Sequence, residues 1–544
     1  MKRLIIISAF CLSVLGAFAK DDRPNIIFFL ADDLARNHIG IYGNEQVKTP
    51  NLDKLASDGI VFANSYATTS ICMASRATMM TGMYEYKNGC NFDKAPLWQS
   101  KWQKTYPILL RKAGYYTGFA GKFGFAVRED GSTDEKYKSY DALPADDFDY
   151  FAGAPDQTSY ITTKTNKAIA KYAKEYPHAT RAYGKACSDF IVQAKKTGKP
   201  FCLSMSFKAP HTPNTPDPFF NDVYKDVIWK TPANYGKENA KHFVMQARLG
   251  KQYLFAAKNF APNIYQEEIR KYNQLIYGVD YAVGMILDTL KEEGLADNTI
   301  IIFTSDNGYS CGTHGFGHKA LAYEEASKTP LIILDPRAKK ADTSWNQALV
   351  ANIDIMPTIL DYAGLEIPEN VDGTSLKAII EGTQSKVREA LPLFQVIESL
   401  PSVSMSIVSE NFKYIYYPYA EKLDAGEELF NLKTDKFEMH NVIADPENKE
   451  ILRNMKAEYN KALAHWKNEN VKRSSYEEFE IIFDQSIDWQ TKKKHIPALF
   501  ENCAANYKYL LKAMKYNGDI YDYDAIMNFI DENSNTQIKQ KKKK

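Results

Sequence analysis

Two strongly apolar segments, each followed at once by a pair of oxygen-bearing side chains, constrain the fold of this chain most. Asn25–Leu30 (NIIFFL) precedes Asp32-Asp33, and Thr299–Thr304 (TIIIFT) precedes Asp306-Asn307. Short continuous apolar runs are typical of strands buried on both faces, as in parallel sheets. Ligands of open parallel sheets bind beyond the carboxyl ends of the strands. We therefore predict that the two pairs, about 270 residues apart in sequence, converge at one edge of a sheet.

The rest of the first 385 residues alternates between short apolar runs and amphipathic stretches. This alternation predicts an α/β domain over residues 20–385, with a large, mostly parallel or mixed sheet flanked by helices. The Thr-Pro start and glycine stop of one segment are typical helix-boundary signals. The predicted elements are a helix with its N-cap at Thr49 and its stop at Gly59, a helix over Glu267–Glu293, a strand over Pro330–Leu334 and a helix from Asp354 to near Gly364.

From about Ala390 the pattern changes to tyrosine-rich alternation, as in Phe412–Tyr417, followed by a predicted helix between Glu450 and Lys467. A small antiparallel sheet with a helix fits this region, so we predict a smaller C-terminal α+β subdomain over residues 386–475. Residues 476–544 read as a helical extension with a frayed tail at Lys541–Lys544. A terminal lysine run is most simply solvated.

The N-terminus has the organisation of a secretory signal peptide. Lys2 and Arg3 precede an apolar run that ends in Ala17-Phe18-Ala19, so we predict cleavage after Ala19 and a periplasmic or extracellular location. The run is too short for a membrane span, and no later stretch approaches the required ~20 apolar residues. Lipidation at Cys11 is the weaker alternative, because bulky Phe10 stands where the lipidation site needs a small residue.

Charge and cysteine content exclude several classes of function. The 68 Lys and Arg against 67 Asp and Glu give a net charge of +1, so there is no broad basic field for nucleic acid. Six of the seven cysteines lie beyond Ala19, without the CxxC spacing of a structural zinc site. Six cysteines in so long a chain do not form a disulfide framework, although an exported protein can pair some of them.

The segment from Ser70 to Gly82 holds the most informative cysteine. Cys72 precedes Arg76 by four positions at a predicted helix start. Helix N-terminal N–H groups and a guanidinium both favour negative charge, so this arrangement suits anion chemistry. A core helix of small residues and methionines is the structural alternative for the same pattern.

Cys72-Met73-Ala74-Ser75-Arg76 resembles the Cys-x-Pro/Ala-x-Arg modification motif of the type I sulfatases, a family of the alkaline phosphatase superfamily. The resemblance spans roughly residues 24–460 and implies an alkaline phosphatase-like fold. Further segments that match the family in order are Asp32-Asp33, Thr49–Asp53, Thr81-Gly82, Gly121-Lys122, Pro210–Pro213, Ser305–Gly308, His314-Gly315, Lys319 and Asp372-Gly373.

The resemblance implies that Cys72 is oxidised to formylglycine by a separate formylglycine-generating or anaerobic sulfatase-maturating enzyme. One hydroxyl of the hydrated aldehyde then attacks sulfur, the alcohol leaves, and the second hydroxyl expels sulfate, which is covalent catalysis in two steps. The unmodified thiol does not support this route. A disulfide at Cys72 is the competing interpretation.

The resemblance also implies a Ca²⁺ site. Asp32, Asp33, Asp306 and Asn307, with Cys72 as formylglycine, match the family's metal ligands, and oxygen ligands suit a hard cation better than zinc. Taken as isolated pairs, such residues more often form turns or helix caps.

Four more residues match family positions that hold the hydrate and the sulfate group. Three of them are cations that add charge-assisted hydrogen bonds to an anion, and the histidine matches a group near the leaving oxygen, where it would supply a proton. These residues are Arg76, Lys122, His211 and Lys319.

One position departs from the family pattern. The family often has a histidine two residues after the lysine of Gly121-Lys122, and this chain has Gly124 there. That histidine accepts the hydrate proton in the family. His38 and His314 are the nearest histidines within matching segments, and we take them as hypothetical replacements.

We therefore predict a sulfuric ester hydrolase that acts on a sulfated saccharide, such as a glycosaminoglycan. Two alternatives remain, a phosphate or phosphonate ester hydrolase of the same superfamily and a catalytically silent glycan-binding protein. Substrate specificity is expected to come from the loops over residues 128–199 and 214–262 and from the C-terminal subdomain.

Overall fold

The computed structural model describes residues 21–495 except for eight short gaps, together with residues 518, 525, 528 and 529. The predicted signal peptide, Cys11, Cys503 and the lysine tail lie outside the described residues. The gaps are at 92–95, 133–138, 249, 251, 339–344, 397–401, 419–423 and 474–475.

A nine-stranded mixed sheet forms the centre of the large domain. In chain order its strands are β1 Asn25–Asp32, β2 Ile60–Tyr66, β3 Tyr116–Lys122, β4 Tyr150–Ala154, β5 Phe201–Pro210, β6 Thr299–Ser305, β7 Lys328–Thr329, β8 Leu331–Leu334 and β9 Trp345–Ala351. Within the sheet they run in the order β7-β2-β8-β6-β1-β5-β3-β4, and β9 also pairs with β2. Strands β7 and β8 pair antiparallel with their neighbours, and the other pairings are parallel.

Helices cover both faces of this sheet, which confirms the predicted α/β architecture. Alternate residues of β1 point to opposite faces, so Ile27 and Phe29 join one core and Ile26 and Phe28 the other. The helices of eight or more residues are α1 Pro50–Asp58, α2 Cys72–Thr81, α3 Ala179–Lys196, α4 Gln252–Asn259, α5 Tyr265–Glu292, α6 Ile355–Tyr362, α7 Lys449–Glu469 and α8 Tyr476–Phe483.

The two cores give the large domain three layers. Helices α1, α3 and α5 pack on the Ile27 face of the sheet, and α2 and α6 pack on the opposite face. The predicted helix starts are close to those observed, since α1 begins at Pro50 and α5 at Tyr265. Thr49 is the N-cap residue of α1, but its hydroxyl accepts the Gly40 N–H and does not cap the helix.

A separate four-stranded antiparallel sheet follows the large domain, as the tyrosine-rich alternation predicts. Helices α7 and α8 pack on it around Trp466, Tyr459 and Phe479. The Phe394 N–H donates to the Thr68 carbonyl oxygen at 2.7 Å and ties this sheet to the segment before α2. Its strands are β10 Ala390–Gln395, β11 Ser404–Ser409, β12 Phe412–Tyr417 and β13 Gly426–Asn431.

None of the helices in the described residues combines the length and the apolar character that crossing a bilayer requires.

Candidate active site

The nucleophile candidate lies at the start of a buried helix. Helix α2 begins at Cys72, after Ile71 in an extended conformation, and the cysteine side chain is only 2% exposed. Ile71, Ala74 and Ala320 form a small buried apolar cluster with it. The free N–H groups of the helix start give this end a partial positive charge, which favours an anion beside Cys72.

Sheet register brings the two predicted acidic pairs together. Strands β1 and β6 are parallel neighbours, and Ala31 is opposite Ser305, so the residues after both strands leave the same edge. The Asp33 N–H donates to Asp306 Oδ1 at 3.1 Å. The Asn307 amide donates to Asp33 Oδ1 at 2.8 Å. The predicted convergence across about 270 residues of sequence is therefore present in the structure.

Each of the three predicted cations of the site forms its shortest ion pair with a different carboxylate, and Asp32 also pairs with Arg76 at 3.6 Å and with Lys319 at 4.0 Å. Arg76 Nε donates to Asp306 Oδ2 at 2.9 Å, from one turn into α2. The Lys122 ammonium, at the end of β3, pairs with Asp32. Lys319 pairs with Asp33, and all six side chains are buried. Three basic and three acidic side chains therefore lie together around the start of α2.

Burial and neighbouring charges shift the pKa values of Asp32 and Asp306 in opposite directions. Burial alone raises the pKa of Asp32, but the charges of Lys122 and its other cationic neighbours hold that pKa well below its usual range. Burial, followed by the charge of Asp32, raises the pKa of Asp306 to about 7. Three carboxylates this close repel one another, and an added cation would relieve that repulsion.

The donor set fits a hard cation. Asp32 Oδ1 and Asn307 Oδ1 are buried and accept no hydrogen bond among the described residues. Buried oxygens without a donor are costly, and a metal ion would satisfy both. The oxygen-only character of Asp32, Asp33, Asp306 and Asn307 matches the ligand preference of Ca²⁺.

His211 lies at the edge of this group. Its Nε2 is 3.6 Å from Asp33 Oδ2, and one ligand atom each of Asp32, Asp33 and His211 lie within 4.8 Å of one another. The other ring nitrogen, Nδ1, donates to the Thr212 carbonyl oxygen at 2.6 Å, so Nε2 is the nitrogen directed at the site. Burial lowers the pKa of His211 to about 4.

The hydrogen bonds of His38 and His314 go to residues other than the paired cations and acids. His38 Nδ1 bonds Asn273 Oδ1 at 2.7 Å. The two ring nitrogens of His314 bond Asn234 Nδ2 at 3.0 Å and the Asn239 carbonyl oxygen at 2.8 Å. A base role for either histidine remains a prediction.

The structure explains why position 124 is a glycine. Gly124 has φ +88°, and a Cβ there would lie 2.6 Å from Arg76 Cδ. Arg76 cannot move aside easily, because its guanidinium also donates to the Lys122 carbonyl oxygen at 2.9 Å and to the Ser206 hydroxyl. Any side chain at position 124, including the family's histidine, would displace the arginine.

We expect Gly124→Ala to destabilise the protein by about 2–4 kcal/mol, from overpacking plus the left-handed backbone conformation. Gly131→Ala is the matched control, because Gly131 also has φ +88°, but no atom of the described residues lies within 4 Å of a Cβ added there. Urea unfolding of both variants measures the difference. Equal stability losses would show that contact with Arg76 contributes nothing.

Three residues that support the site were not predicted from the sequence. Gln157 Oε1 accepts from the Lys122 ammonium at 2.6 Å, and the Ser206 hydroxyl accepts from Arg76. The Tyr272 hydroxyl donates to the Asp33 carbonyl oxygen at 2.6 Å and accepts the Ala35 N–H. Ser206 lies within the buried strand β5, and the apolar run of that strand is the signal that could have drawn attention to it. Gln157 and Tyr272 stand in no recognisable sequence pattern.

The five described cysteines beyond the signal segment are all free thiols, so Cys72 forms no disulfide with any of them. They are Cys72, Cys90, Cys187, Cys202 and Cys311.

Comparison with known families agrees with this geometry. Residues 24–365 match the Sulfatase family model, which is more than half of the chain. Residues 312–465 match the model of the N-sulphoglucosamine sulphohydrolase C-terminal region.

Curated relatives resemble the chain over most of its length. An N-acetylglucosamine-6-O-sulfatase of Bacteroides thetaiotaomicron is 28% identical, over 78% of this chain and 83% of the relative. An arylsulfatase of Clostridium perfringens is also 28% identical, over 79% of this chain and 92% of the relative. Human N-acetylglucosamine-6-sulfatase is 29% identical, over 70% of this chain and 69% of the relative.

Solved structures share the fold. A protein in complex with its substrate D-glucosamine-2-N,6-O-disulfate matches with a TM-score of 0.65 and 25% identity, over 85% of this chain and 100% of that chain. A phosphonate monoester hydrolase of Agrobacterium radiobacter shares the fold at 21% identity and a TM-score of 0.62, over 80% of this chain and 96% of that chain. With its matching family model, its mixed sheet and its named relatives, the chain belongs to the sulfatase family of the alkaline phosphatase superfamily and is a sulfatase.

Proposed function

We propose that this sulfatase releases inorganic sulfate from a sulfated carbohydrate, a glycosaminoglycan or another sulfated glycan. The observation that carries the proposal is the convergence of three paired cations and three carboxylates at the N-terminus of the helix that begins with Cys72. Relatives named as N-acetylglucosamine-6-sulfatases support a sugar sulfate as the substrate class.

The nucleophile in this proposal is formylglycine made from Cys72 by a formylglycine-generating or anaerobic sulfatase-maturating enzyme. When present, this group supplies an oxygen nucleophile at the start of α2. The proposed metal is Ca²⁺, held by Asp32, Asp33, Asp306 and Asn307, and it would supply positive charge beside the sulfate group.

The chain's own residues would bind the sulfate group and handle its charge. Lys122 and Lys319 direct buried ammonium groups at the acids and would donate to sulfate oxygens that approach the same edge. Arg76 orients the start of α2 through its pair with Asp306. His211 Nε2 faces the site, and His211 would give a proton to the leaving sugar oxygen as the imidazolium, which the negative charge of a bound sulfate group would favour. His38 and His314 remain proposed alternatives for the base.

We further propose that residues 1–19 are a signal peptide and that the mature protein works in the periplasm or outside the cell. In this organisation, residues 20–385 form the catalytic domain and residues 386–475 form the C-terminal subdomain. Residues 476–544 would be a helical extension with a Lys-rich tail, and its first helix, α8, packs on the C-terminal sheet.

The proposal is tested with purified protein co-expressed with a maturation enzyme. We expect sulfate release from at least one member of a panel of defined sulfated saccharides. We also expect kcat/KM for 4-nitrophenyl sulfate to exceed that for 4-nitrophenyl phosphate by at least about tenfold, or ~1.4 kcal/mol of transition-state discrimination. Ion chromatography of released sulfate and absorbance of nitrophenol are the measurements.

A preference for the phosphate ester would instead favour the phosphate or phosphonate hydrolase alternative. Saccharide binding without release of either anion, with Cys72 still a thiol by mass spectrometry, would favour the silent glycan-binding alternative.

A further inference from the structure

A fourth buried cation, Lys208, lies beside the candidate site and was not predicted from the sequence. It is near the end of β5, three residues before His211, and is only 8% exposed. Its Nζ donates to the Gln157 carbonyl oxygen at 2.8 Å and lies 5.2 Å from the centre of the Tyr160 ring. The ammonium is therefore held by a neutral acceptor and an aromatic face.

Lys208 differs from the other three cations in its lack of a carboxylate partner. Arg76, Lys122 and Lys319 each pair with an aspartate, whereas no carboxylate oxygen of the described residues is within 4 Å of Lys208 Nζ. A buried ammonium without a counter-charge is costly. Burial, followed by the charge of Lys122, lowers the pKa of Lys208 to about 8, against the opposing effect of the charges of Asp32, Asp33 and Asp156.

Two residues, Gln157 and Tyr160, link Lys208 to the site. Gln157 joins two lysines, because its carbonyl oxygen accepts from Lys208 and its side-chain oxygen accepts from Lys122 at 2.6 Å. Tyr160, under the Lys208 ammonium, donates its hydroxyl hydrogen to the His211 carbonyl oxygen at 2.6 Å. Lys208 is therefore linked to Lys122 and to His211 through one intervening residue each.

The hydrogen-bonding capacity of Lys208 is only partly used. An ammonium has three donor hydrogens, and the described residues provide one acceptor, the Gln157 carbonyl oxygen. Anchoring Gln157 requires only one N–H donor and no charge. The remaining donors and the unbalanced charge are what an anionic oxygen would use.

We propose that Lys208 binds an anionic oxygen of the substrate, from either the sulfate group that is cleaved or a second acidic group on the sugar. This inference rests on the proposed function. In both cases the ammonium would donate a charge-assisted hydrogen bond to an anionic oxygen. The two cases predict different binding results when the charge of Lys208 is removed.

Binding to inactive full-length protein separates these sources. Cys72→Ala protein, with and without Lys208→Met, is titrated calorimetrically with inorganic sulfate and with D-glucosamine-2-N,6-O-disulfate. We expect Lys208→Met to weaken binding of at least one probe by about 10- to 100-fold. Weaker binding of both probes assigns Lys208 to the cleaved sulfate group. Weaker binding of the disulfated sugar alone assigns it to a second acidic group.

Two lysine variants control for indirect effects. Lys225→Met removes an exposed lysine that pairs with Asp222 outside the site, and we expect unchanged affinities. Lys208→Arg restores a cation, and we expect it to recover part of the affinity, which a purely structural role would not require. Thermal midpoints of all variants show whether each is folded.

Unchanged affinity for both probes in folded Lys208→Met protein overturns the inference, and so does the absence of binding by protein that retains Lys208. If Lys208→Met does not fold, Lys208→Gln provides the same test. Failure of the proposed function is a separate result, since it appears as a matured wild-type enzyme that releases no sulfate from any ester.

Discussion

The Cys72→Ala variant is expected to lose sulfatase activity by about 10⁴-fold or more, the usual scale for removal of a covalent nucleophile. Helix α2 would remain intact, because alanine favours helices and the cavity left by one sulfur is small. The measurement is kcat/KM on 4-nitrophenyl sulfate after co-expression with a maturation enzyme.

Cys187→Ala is the matched control for this variant. Cys187 is also a free, buried thiol, but it lies in the interior of α3 and not at a helix start. We expect it to keep near-wild-type kcat/KM. Mass spectrometry of the Cys72 peptide should show conversion to formylglycine in wild type and in Cys187→Ala. Substantial turnover by Cys72→Ala would refute the proposed nucleophile.

If the proposed Ca²⁺ site is correct, removal of Ca²⁺ is expected to abolish most activity and to lower the thermal midpoint of the protein. An ion that binds only the folded state stabilises it by about 2.7 kcal/mol at a hundredfold excess over Kd. We expect the loss of stability because Asp32 Oδ1 and Asn307 Oδ1 are buried, and no donor of the described residues forms a hydrogen bond with either oxygen. Scanning calorimetry and sulfate release, after treatment with EGTA and after Ca²⁺ is added back, are the measurements.

Two aspartate variants show whether the Ca²⁺ effect arises at this site. Asp306→Ala should remove the Ca²⁺-dependent shift in thermal midpoint. Asp217→Ala removes a buried aspartate that also pairs with an arginine, Arg181, so it should lower the midpoint but leave the Ca²⁺ shift unchanged. A full shift in Asp306→Ala, or recovery with Zn²⁺ but not with Ca²⁺, would contradict the proposed metal site.

Much of the fold could be predicted from local patterns. The apolar run over Asn25–Leu30 is a central strand because an all-apolar segment is stable only when both of its faces are covered. Glycine and proline marked the boundaries of α1 for equally local reasons. The convergence of the two acidic pairs also followed from sequence, since parallel strands end at one edge.

The partners within the site could not be predicted in the same way. The pairing of Arg76 with Asp306 and of Lys122 with Asp32 depends on how α2 packs on the sheet and on the position of β3 next to β5, one strand away from β1, which no local pattern determines. The exclusion of a side chain at position 124 is likewise visible only once Arg76 is in place.

The sequence by itself determined the α/β architecture, the helix start at Cys72 and the family to which the chain belongs, because each depends on neighbouring residues or on a motif read in order. Only the tertiary structure decided which carboxylate neutralises which cation of the site, and that the neighbouring buried cation Lys208 has no carboxylate partner among the described residues. The physical reason is that burial and Coulomb energy depend on distances between atoms, and residues more than 80 positions apart, such as Lys122 and Lys208, become neighbours only when the sheet forms.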